Sequence, residues 1–267
     1  INESFVGAIA AGAPNPAVTG KWTARLQKTL SPLQLIKAIK TSFDIGWAGR
    51  NGWRLLPRNA REWWAMYGKQ FKAFRSEAGF QEIDAATRAF PNFERSQSMP
   101  RPLAYLQKGT GSPETSGEEF TSGLTKHIPG LAGSERAYVA PGNWMRQAVL
   151  DKQVRRIVKA TKKPVSDVDF QLLIDNLNNA TLRGNTRWLG HNANTLASLL
   201  FSLKGQVSGP QFVADGVRAA VNGGAAYSPE ARKIIAEQVG AYVGLGMGML
   251  GAIAAGGYGL NKAGVPS

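Results

Sequence analysis

The sequence predicts an all-α protein, an elongated assembly of several helices without a β-sheet. Apolar residues recur at three- and four-residue steps in several separate segments, which is typical of amphipathic helices. Serine and proline mark the starts of these segments, and alternating strand patterns are absent from the sequence. We expect a connector over 1–20, an N-terminal helical region over 21–95, a linker over 96–115, a basic helical region over 116–224, and an apolar, glycine-rich helix and tail over 225–267.

The N-terminal region contains three predicted helices. Ser31-Pro32 supplies a cap followed by proline, and a helix is therefore predicted over about 32–44. A second helix opens near Pro57, and a third is predicted over 78–90, where Pro91 stops it. The second helix carries an aromatic stripe, which we interpret as a packing face rather than a base-stacking platform. The stripe consists of Ala60, Trp64, Tyr67, Phe71 and Phe74.

The basic helical region follows a loop that we expect between Ser96 and Pro113, where prolines and glycines are frequent. Ser116 and Glu119 have the spacing of a capping box at a helix start. The most basic helix of the chain comes after Gly133. Its apolar stripe is Met145, Val149, Leu150, Val154, Ile157 and Val158. We expect its cations to contact nucleic acid or an acidic partner. These cations are Arg146, Lys152, Arg155, Arg156, Lys159, Lys162 and Lys163.

Three further helices are predicted before residue 224. Ser166 and Asp169 cap the first of them, which we expect to end near Gly184. Its apolar residues are Phe170, Leu173, Ile174 and Leu177. A short helix follows, marked by Leu196, Leu199, Leu200 and Leu203. The third is marked by Phe212, Val213, Val217, Ala220 and Val221.

The last segment starts at Ser228-Pro229 and carries no charge between Gln238 and Lys262. The stretch Val239–Leu260 is long enough to span a bilayer, since roughly 20 apolar residues are needed. Gly240, Gly244 and Gly248 form a ladder at four-residue spacing, a pattern that lets helices approach closely in membranes. We predict that these glycines pack against equivalent or neighbouring helices. A tightly packed helix in a soluble oligomer is the alternative, because glycine lowers both helix propensity and hydrophobicity.

The charge of the chain predicts a polyanionic partner. The formal net charge is +14, with 32 Lys and Arg against 18 Asp and Glu, which favours attraction to nucleic acid or to an anionic membrane. A basic surface that complements an acidic neighbour in an assembly is the alternative. Cysteine is absent, which excludes disulfides and thiolate chemistry. Because the chain begins at Ile1 without a leader, we expect it to be part of something longer.

Residues suited to catalysis are few. The two histidines, His127 and His191, match no compact metal-ligand or acid–base motif. Glu118 and Glu119 are adjacent, so on a helix they point about 100° apart and cannot face each other across a sugar. No phosphate-binding glycine motif is present. We therefore predict a non-enzymatic protein with no catalytic residue, no metal site and no cofactor.

Three blocks of sequence resemble a large polyvalent protein-associated domain family, which occurs in giant proteins of phages and prophages. The first block is Phe43–Gly52 followed by Pro57 and Trp63-Trp64, the second is Ile128–Tyr138, and the third is Asn178–Gly184 with Leu200-Phe201-Ser202. The chain departs from the family pattern in Asn143-Trp144-Met145-Arg146 and in Thr181-Leu182-Arg183-Gly184. The resemblance covers most of residues 30–260 and supplies no catalytic residue.

The resemblance implies residence inside the virion, near the portal, and delivery into the host cell envelope at infection. The first hypothesis is a structural internal virion (ejection) protein segment. Its expected partners are further copies of the chain in a homo-oligomer, portal or other internal virion proteins, phage DNA bound through its backbone, and the host membrane. The alternative is a non-specific DNA-binding or condensation protein of the phage particle. A cell-wall hydrolase would require carboxylates that converge, and the sequence pattern does not bring them together.

Overall fold

A computed structural model describes residues 52–106, 131–184, 203–221 and 227–262. Within these ranges the chain forms seven α-helices and one short 3-10 helix, and no strand. The all-α prediction is therefore confirmed for the described part of the chain. The predicted helix over 32–44, the proposed cap at Ser116 and both histidines lie outside the described residues, as does most of the predicted short leucine helix.

Two N-terminal helices, α1 and α2, form where the sequence predicts them, and a third, α3, was not predicted. After a 3-10 turn at Trp53–Leu55, the helices are α1 (Ala60–Arg75), α2 (Glu77–Arg88) and α3 (Phe93–Ser98). Ser76 separates α1 from α2, and its hydroxyl accepts a hydrogen bond from the backbone N–H of Gly79 at 3.0 Å. This cap satisfies one of the free N–H groups at the start of α2. The chain therefore turns sharply, and α2 packs against α1.

The central element of the fold is α4 (Leu131–Thr161), which contacts α1, α2, α5 and α7. Residues 137–143 and 145–151 are all buried. This burial leaves only the C-terminal third of the helix open to solvent over a broad face. The most basic helix of the sequence is therefore also the helix around which four of the six other described helices pack.

Helix α5 (Asp167–Ala180) follows α4 after a short turn. The predicted cap is confirmed, because the hydroxyl of Ser166 accepts a hydrogen bond from the backbone N–H of Asp169 at 3.1 Å. The four predicted apolar residues of this helix have no exposed surface. The helix ends at Ala180, four residues before Gly184.

The last two helices, α6 (Leu203–Val221) and α7 (Pro229–Lys262), form an antiparallel hairpin. Gly216 lies against Val239, and four residues earlier along α6 the ring of Phe212 lies 5.5 Å from that of Tyr242. Because the contacts advance along α7 as they go back along α6, the two helices run in opposite directions. The stretch predicted to be apolar and helical, Val239–Leu260, lies within α7.

Most of the described helices contribute to one hydrophobic core, which includes part of the predicted linker, and a small second cluster of Ala73, Ile83 and Ala140 lies where α1, α2 and α4 meet. Helix α3 continues to Ser98, and beyond it Leu103 and Leu106 are only 3% and 2% exposed. The amide of Asn143 on α4 holds this segment by donating to the carbonyl of Leu106 at 2.7 Å and accepting from its N–H at 2.9 Å. The described residues of the linker are therefore packed between the regions they join.

The aromatic stripe of α1 is only partly its packing face: Tyr67 packs against the core, but the prediction is wrong for Trp64 and Phe71. Trp64 is 65% exposed and Phe71 is 44% exposed. The buried residues are Met66, Gln70 and Ala73, which is the same pattern displaced by one residue. On a helix that displacement is a rotation of about 100°. Two unbranched side chains and one methyl group, rather than the aromatic rings, are therefore buried on the helix that packs against α4.

Candidate functional site

Arg146, predicted to contact a polyanion, lies in the core instead, so the prediction is wrong for this residue. Its side chain has no exposed surface. Its Nε donates to the hydroxyl of Thr181 at 2.9 Å, and its Nη1 donates to the amide oxygen of Asn143 at 3.2 Å. A guanidinium held this deeply joins α4 to α5 and cannot reach a phosphate outside the protein.

Two other predicted cations hold helices together. The Nζ of Lys152 lies 3.0 Å from a carboxylate oxygen of Glu62 on α1. Arg156 binds Glu237 on α7 through two parallel hydrogen bonds of 2.7 and 3.0 Å, and Arg58 donates to the same carboxylate. The hydrogen bond from Arg156 lowers the pKa of Glu237 below its ordinary value. Three cations thus meet two carboxylates, which leaves a positive excess at this point.

The remaining predicted cations form an exposed surface at the end of α4, which we call the basic surface. Its members are Arg155, Lys159, Lys162 and Lys163. The side chain of Arg155 is 67% exposed and reaches only the edge of ion-pair distance from Asp151, at 4.0 Å. Among the described residues the three lysines have no ion pair. They also lie at a helix C-terminus, where positive charge stabilises the helix dipole, so part of their role is structural.

The second half of α7 exposes large apolar side chains, which we call the apolar surface of α7. These are Val243, Leu245, Met247, Met249 and Leu250, each between 36% and 69% exposed. Pro229–Ala252 is the one described helix that is long and apolar enough to cross a membrane, with a mean hydropathy of 1.2. Within its most apolar stretch of 18 residues, only 22% is buried. A core helix of a soluble protein would be mostly buried, whereas α7 is apolar where the other described helices do not cover it.

The glycine ladder contacts no other helix among the described residues. A Cβ atom built at Gly240, Gly244 or Gly248 would meet nothing within 4 Å. The described helices of the same chain therefore do not pack against the predicted ladder. Packing between copies of the chain stays a prediction. The close helix approach occurs instead at Gly216, where a Cβ would lie 2.5 Å from a methyl group of Val239.

A buried row of polar side chains joins the hairpin to α4 and α5. Gln153 donates to Gln238 at 2.7 Å, and Gln238 donates to Asn176 at 3.1 Å. Asn179 donates to Asp215 on α6 at 2.8 Å. Burial raises the pKa of Asp215 above its ordinary value. We call this row the polar seam.

Sequence reasoning missed the polar seam, although a signal was present. Asn176 and Asn179 lie three residues apart and flank Leu177, a predicted core position of α5. Amides at such positions must satisfy their hydrogen bonds inside the protein. Their partners come from helices far along the chain, and no local pattern identifies them.

The described residues bring together no group of three or more His, Cys, Asp or Glu side chains that would hold a metal ion. A shallow groove of about 510 Å³ between α3 and α5 contains Asp167 and Asp175. Each of these carboxylates is bound by an arginine, Arg95 at 2.7 Å and Arg101 at 2.5 Å. Both carboxylates are therefore paired with a cation and hydrogen-bonded, an arrangement that does not favour proton transfer to or from a substrate.

Comparison of the chain with protein-family models, with curated proteins and with solved structures finds no match. The resemblance to the phage-associated domain family therefore stays a prediction. Within its second block, Arg136 donates to the backbone carbonyls of Ala73 and Phe74, both at 3.0 Å, and Tyr138 is buried. These residues of the block pack α4 against the end of α1.

Proposed function

We propose that this chain is a structural segment of a bacteriophage internal virion (ejection) protein, which engages the host membrane through α7 after delivery. The observation that carries the proposal is the apolar surface of α7, exposed on a chain whose other helices share a well-formed core. Inside the particle the basic surface would face phage DNA or an acidic portal protein. Further copies of the chain would pack through the glycine ladder.

The dimensions of α7 support membrane engagement. The helix has 34 residues, which corresponds to about 51 Å at 1.5 Å per residue. Its uncharged part, between Gln238 and Lys262, is about 36 Å long by the same rise. The hydrocarbon layer of a bilayer is about 30 Å thick. The uncharged part is therefore long enough to cross, and the charged residues of α7 would remain in the headgroup region.

Vesicle flotation tests the membrane part of the proposal. Met247 and Trp64 are 69% and 65% exposed, so Met247→Glu and Trp64→Glu form a matched pair. A charge placed at the centre of a membrane helix costs about 2.5–3.5 kcal/mol, or roughly a hundredfold in partitioning. We expect Met247→Glu to abolish flotation with vesicles and Trp64→Glu to leave it unchanged. Equal flotation of both variants, or no flotation of the unmodified chain, would contradict the proposal.

Purified particles test the virion part of the proposal. Mass spectrometry of DNA-filled particles of the phage or prophage that encodes the chain should detect it, and protease should not remove it from intact particles. After adsorption to host cells the chain should appear in the envelope fraction. Absence from particles, or complete removal by protease, would refute residence in the virion interior.

The basic surface favours a second candidate, a non-specific DNA-binding or condensation protein. Four exposed cations would release counterions with a slope of about −0.9 per phosphate, or roughly −3.6 in a plot of log affinity against log salt. Lys159→Glu with Lys163→Glu should weaken binding of duplex DNA. Arg75→Glu, at an exposed position of α1, is the control. Salt-insensitive binding, or equal effects of both changes, would exclude this candidate.

A further inference from the structure

We propose that the α6–α7 hairpin is the membrane-entering unit, and that it undocks as one body from α4 and α5 to enter an anionic bilayer. This inference rests on the proposed membrane engagement and assigns it to a specific part of the chain. Three features of the described residues carry it: the packing inside the hairpin, the polar seam that docks it, and the apolar side chains that it exposes.

The two helices of the hairpin are packed closely enough to move together. A Cβ at Gly216 would lie 2.5 Å from one methyl carbon of Val239 and 2.9 Å from the other. The rings of Phe212 and Tyr242 meet edge to face at 5.5 Å. This interface is tightly fitted, so separation of α6 from α7 would lose close packing contacts.

The contact between the hairpin and the rest of the chain combines apolar packing with polar groups, since Phe212 and Ile235 belong to the same core as residues of α4 and α5. Polar groups cross it along its length, including the polar seam, the bond from Arg54 to Ser208 at 3.0 Å, and the bond from the Ser228 N–H to Asp169 at 2.8 Å. Water can replace such bonds when the contact opens, whereas it cannot replace apolar packing. The apolar residues that also leave the core, Phe212 and Ile235 among them, would be transferred to lipid.

Both helices of the hairpin expose apolar side chains. Eight of the thirteen exposed large hydrophobic residues in the described part of the chain belong to α6 or α7. On α6, Val213, Val217 and Val221 are 38%, 56% and 74% exposed and lie on one face at four-residue spacing. Together with the apolar surface of α7, they give the hairpin two apolar sides. Because α6 also carries Lys204, Asp215 and Arg218, it would lie at the level of the headgroups while the apolar surface of α7 enters the hydrocarbon layer.

The charges at the docking contact favour an anionic bilayer. Arg58 and Arg156 both bind Glu237 of α7 while the hairpin is docked. Undocking removes this carboxylate and leaves the guanidinium groups of Arg58 and Arg156 without it on the part of the chain that stays behind. Guanidinium binds phosphate oxygens in two parallel hydrogen bonds, so lipid phosphates would replace the lost partner. Anionic lipids also attract the net charge of the chain.

Single-cysteine reporters test the proposal, because the chain has no native cysteine. Met247→Cys, Val217→Cys and Trp64→Cys place a polarity-sensitive fluorophore on α7, α6 and α1, at sites 69%, 56% and 65% exposed. The probe is a vesicle of phosphatidylethanolamine and phosphatidylglycerol. We expect blue-shifted emission at the first two sites and an unchanged aqueous spectrum at Trp64→Cys. Phosphatidylcholine vesicles should give a signal at least tenfold weaker.

The outcomes separate this inference from the proposed function. A shift at Met247→Cys alone would overturn insertion of the hairpin as a unit and leave membrane engagement by α7 intact. No shift at any site would refute the membrane function itself. A shift at all three sites would overturn undocking in favour of general adsorption. Equal signals on both vesicle types would refute the anionic preference.

A second pair of variants tests the role of the polar seam. Asn179→Ala removes a hydrogen bond between α5 and the hairpin, and Ser96→Ala removes a buried one of 3.1 Å between α3 and α4. Each substitution removes one side-chain hydrogen bond between two helices, but only that of Asn179 belongs to the polar seam. We expect Asn179→Ala to speed the shift at Val217→Cys severalfold and Ser96→Ala to leave its rate unchanged. Equal rates would overturn the seam as the point of release.

Discussion

Replacement of the buried Arg146 tests whether this cation stabilises the fold, in contrast to exposed cations such as Arg155, which are available to bind a partner. Arg146→Ala removes hydrogen bonds of 2.9 Å and 3.2 Å from a charged donor, each worth about 1.5–3 kcal/mol. The acceptors keep other partners, since Asn143 still accepts from the Leu106 N–H and Thr181 still donates to the Leu177 carbonyl. A third hydrogen bond, from Nη1 to the carbonyl of Ala104 at 3.3 Å, is also lost, and this partly buried carbonyl can bind water in its place. The buried methylene stem contributes about 0.8 kcal/mol per CH₂.

Opposing these losses, a guanidinium that leaves the core recovers several kcal/mol of hydration. We therefore expect Arg146→Ala to lower the free energy of unfolding by about 3 kcal/mol, a net figure after that recovery. Arg146→Met keeps the stem and removes the charge, so its cost should be about 1 kcal/mol. Arg155→Ala, at a surface position, should change stability by less than about 0.5 kcal/mol.

Urea denaturation followed by circular dichroism measures these differences. With a slope of about 2 kcal/mol per molar urea, Arg146→Ala should lower the midpoint by about 1.5 M. Duplex DNA affinity of the folded Arg146→Met variant should equal that of the unmodified chain. The reasoning would be refuted if Arg146→Met left the midpoint unchanged and weakened DNA binding as much as Arg155→Ala.

Three further predictions concern the hairpin. Gly216→Ala should destabilise the protein by about 1–3 kcal/mol in the same assay, because its new methyl group overlaps Val239; a stability equal to that of the unmodified chain would contradict the close approach. Because burial raises the pKa of Asp215, its contribution to stability is complete below about pH 4 and is lost as pH rises through the folded pKa. The difference in unfolding free energy between Asp215→Asn and the unmodified chain should therefore change with pH in that window, and a constant difference would oppose this. Gly244→Leu and Ala241→Leu should both leave monomer stability within about 0.5 kcal/mol; if the ladder joins copies, only Gly244→Leu should reduce the oligomer in light scattering.

Local sequence patterns predicted the helices well where capping and periodicity agree. Ser166 starts α5 as its spacing to Asp169 requires, and α1 and α2 lie within three residues of their predicted starts. These features depend on residues close together in the chain. They are set by hydrogen bonds and propensities that a few neighbouring side chains determine.

The sequence did not show which faces are buried, because burial depends on partners from distant segments. The basic helix was expected to be buried on one stripe only, but α4 is surrounded over residues 137–151. Arg146 is therefore a core residue. Its position three and four residues before Val149 and Leu150 places it on their buried face, and this spacing was a signal that its charge obscured. For α1 the sequence predicted burial of the aromatic residues. The residues that are buried are Met66, Gln70 and Ala73.

The central position of α4 also affects how the chain is made. Lys152 binds Glu62, a residue 90 positions earlier in the sequence. At synthesis rates of roughly 5–20 residues per second, the ribosome needs about 5–18 seconds to cover that distance. During this interval α1 and α2 lack α4, against which both pack in the finished fold, and the apolar residues that α4 would cover meet water or a chaperone. Aggregation of the nascent chain should therefore depend on translation speed as well as on the stability of the finished fold.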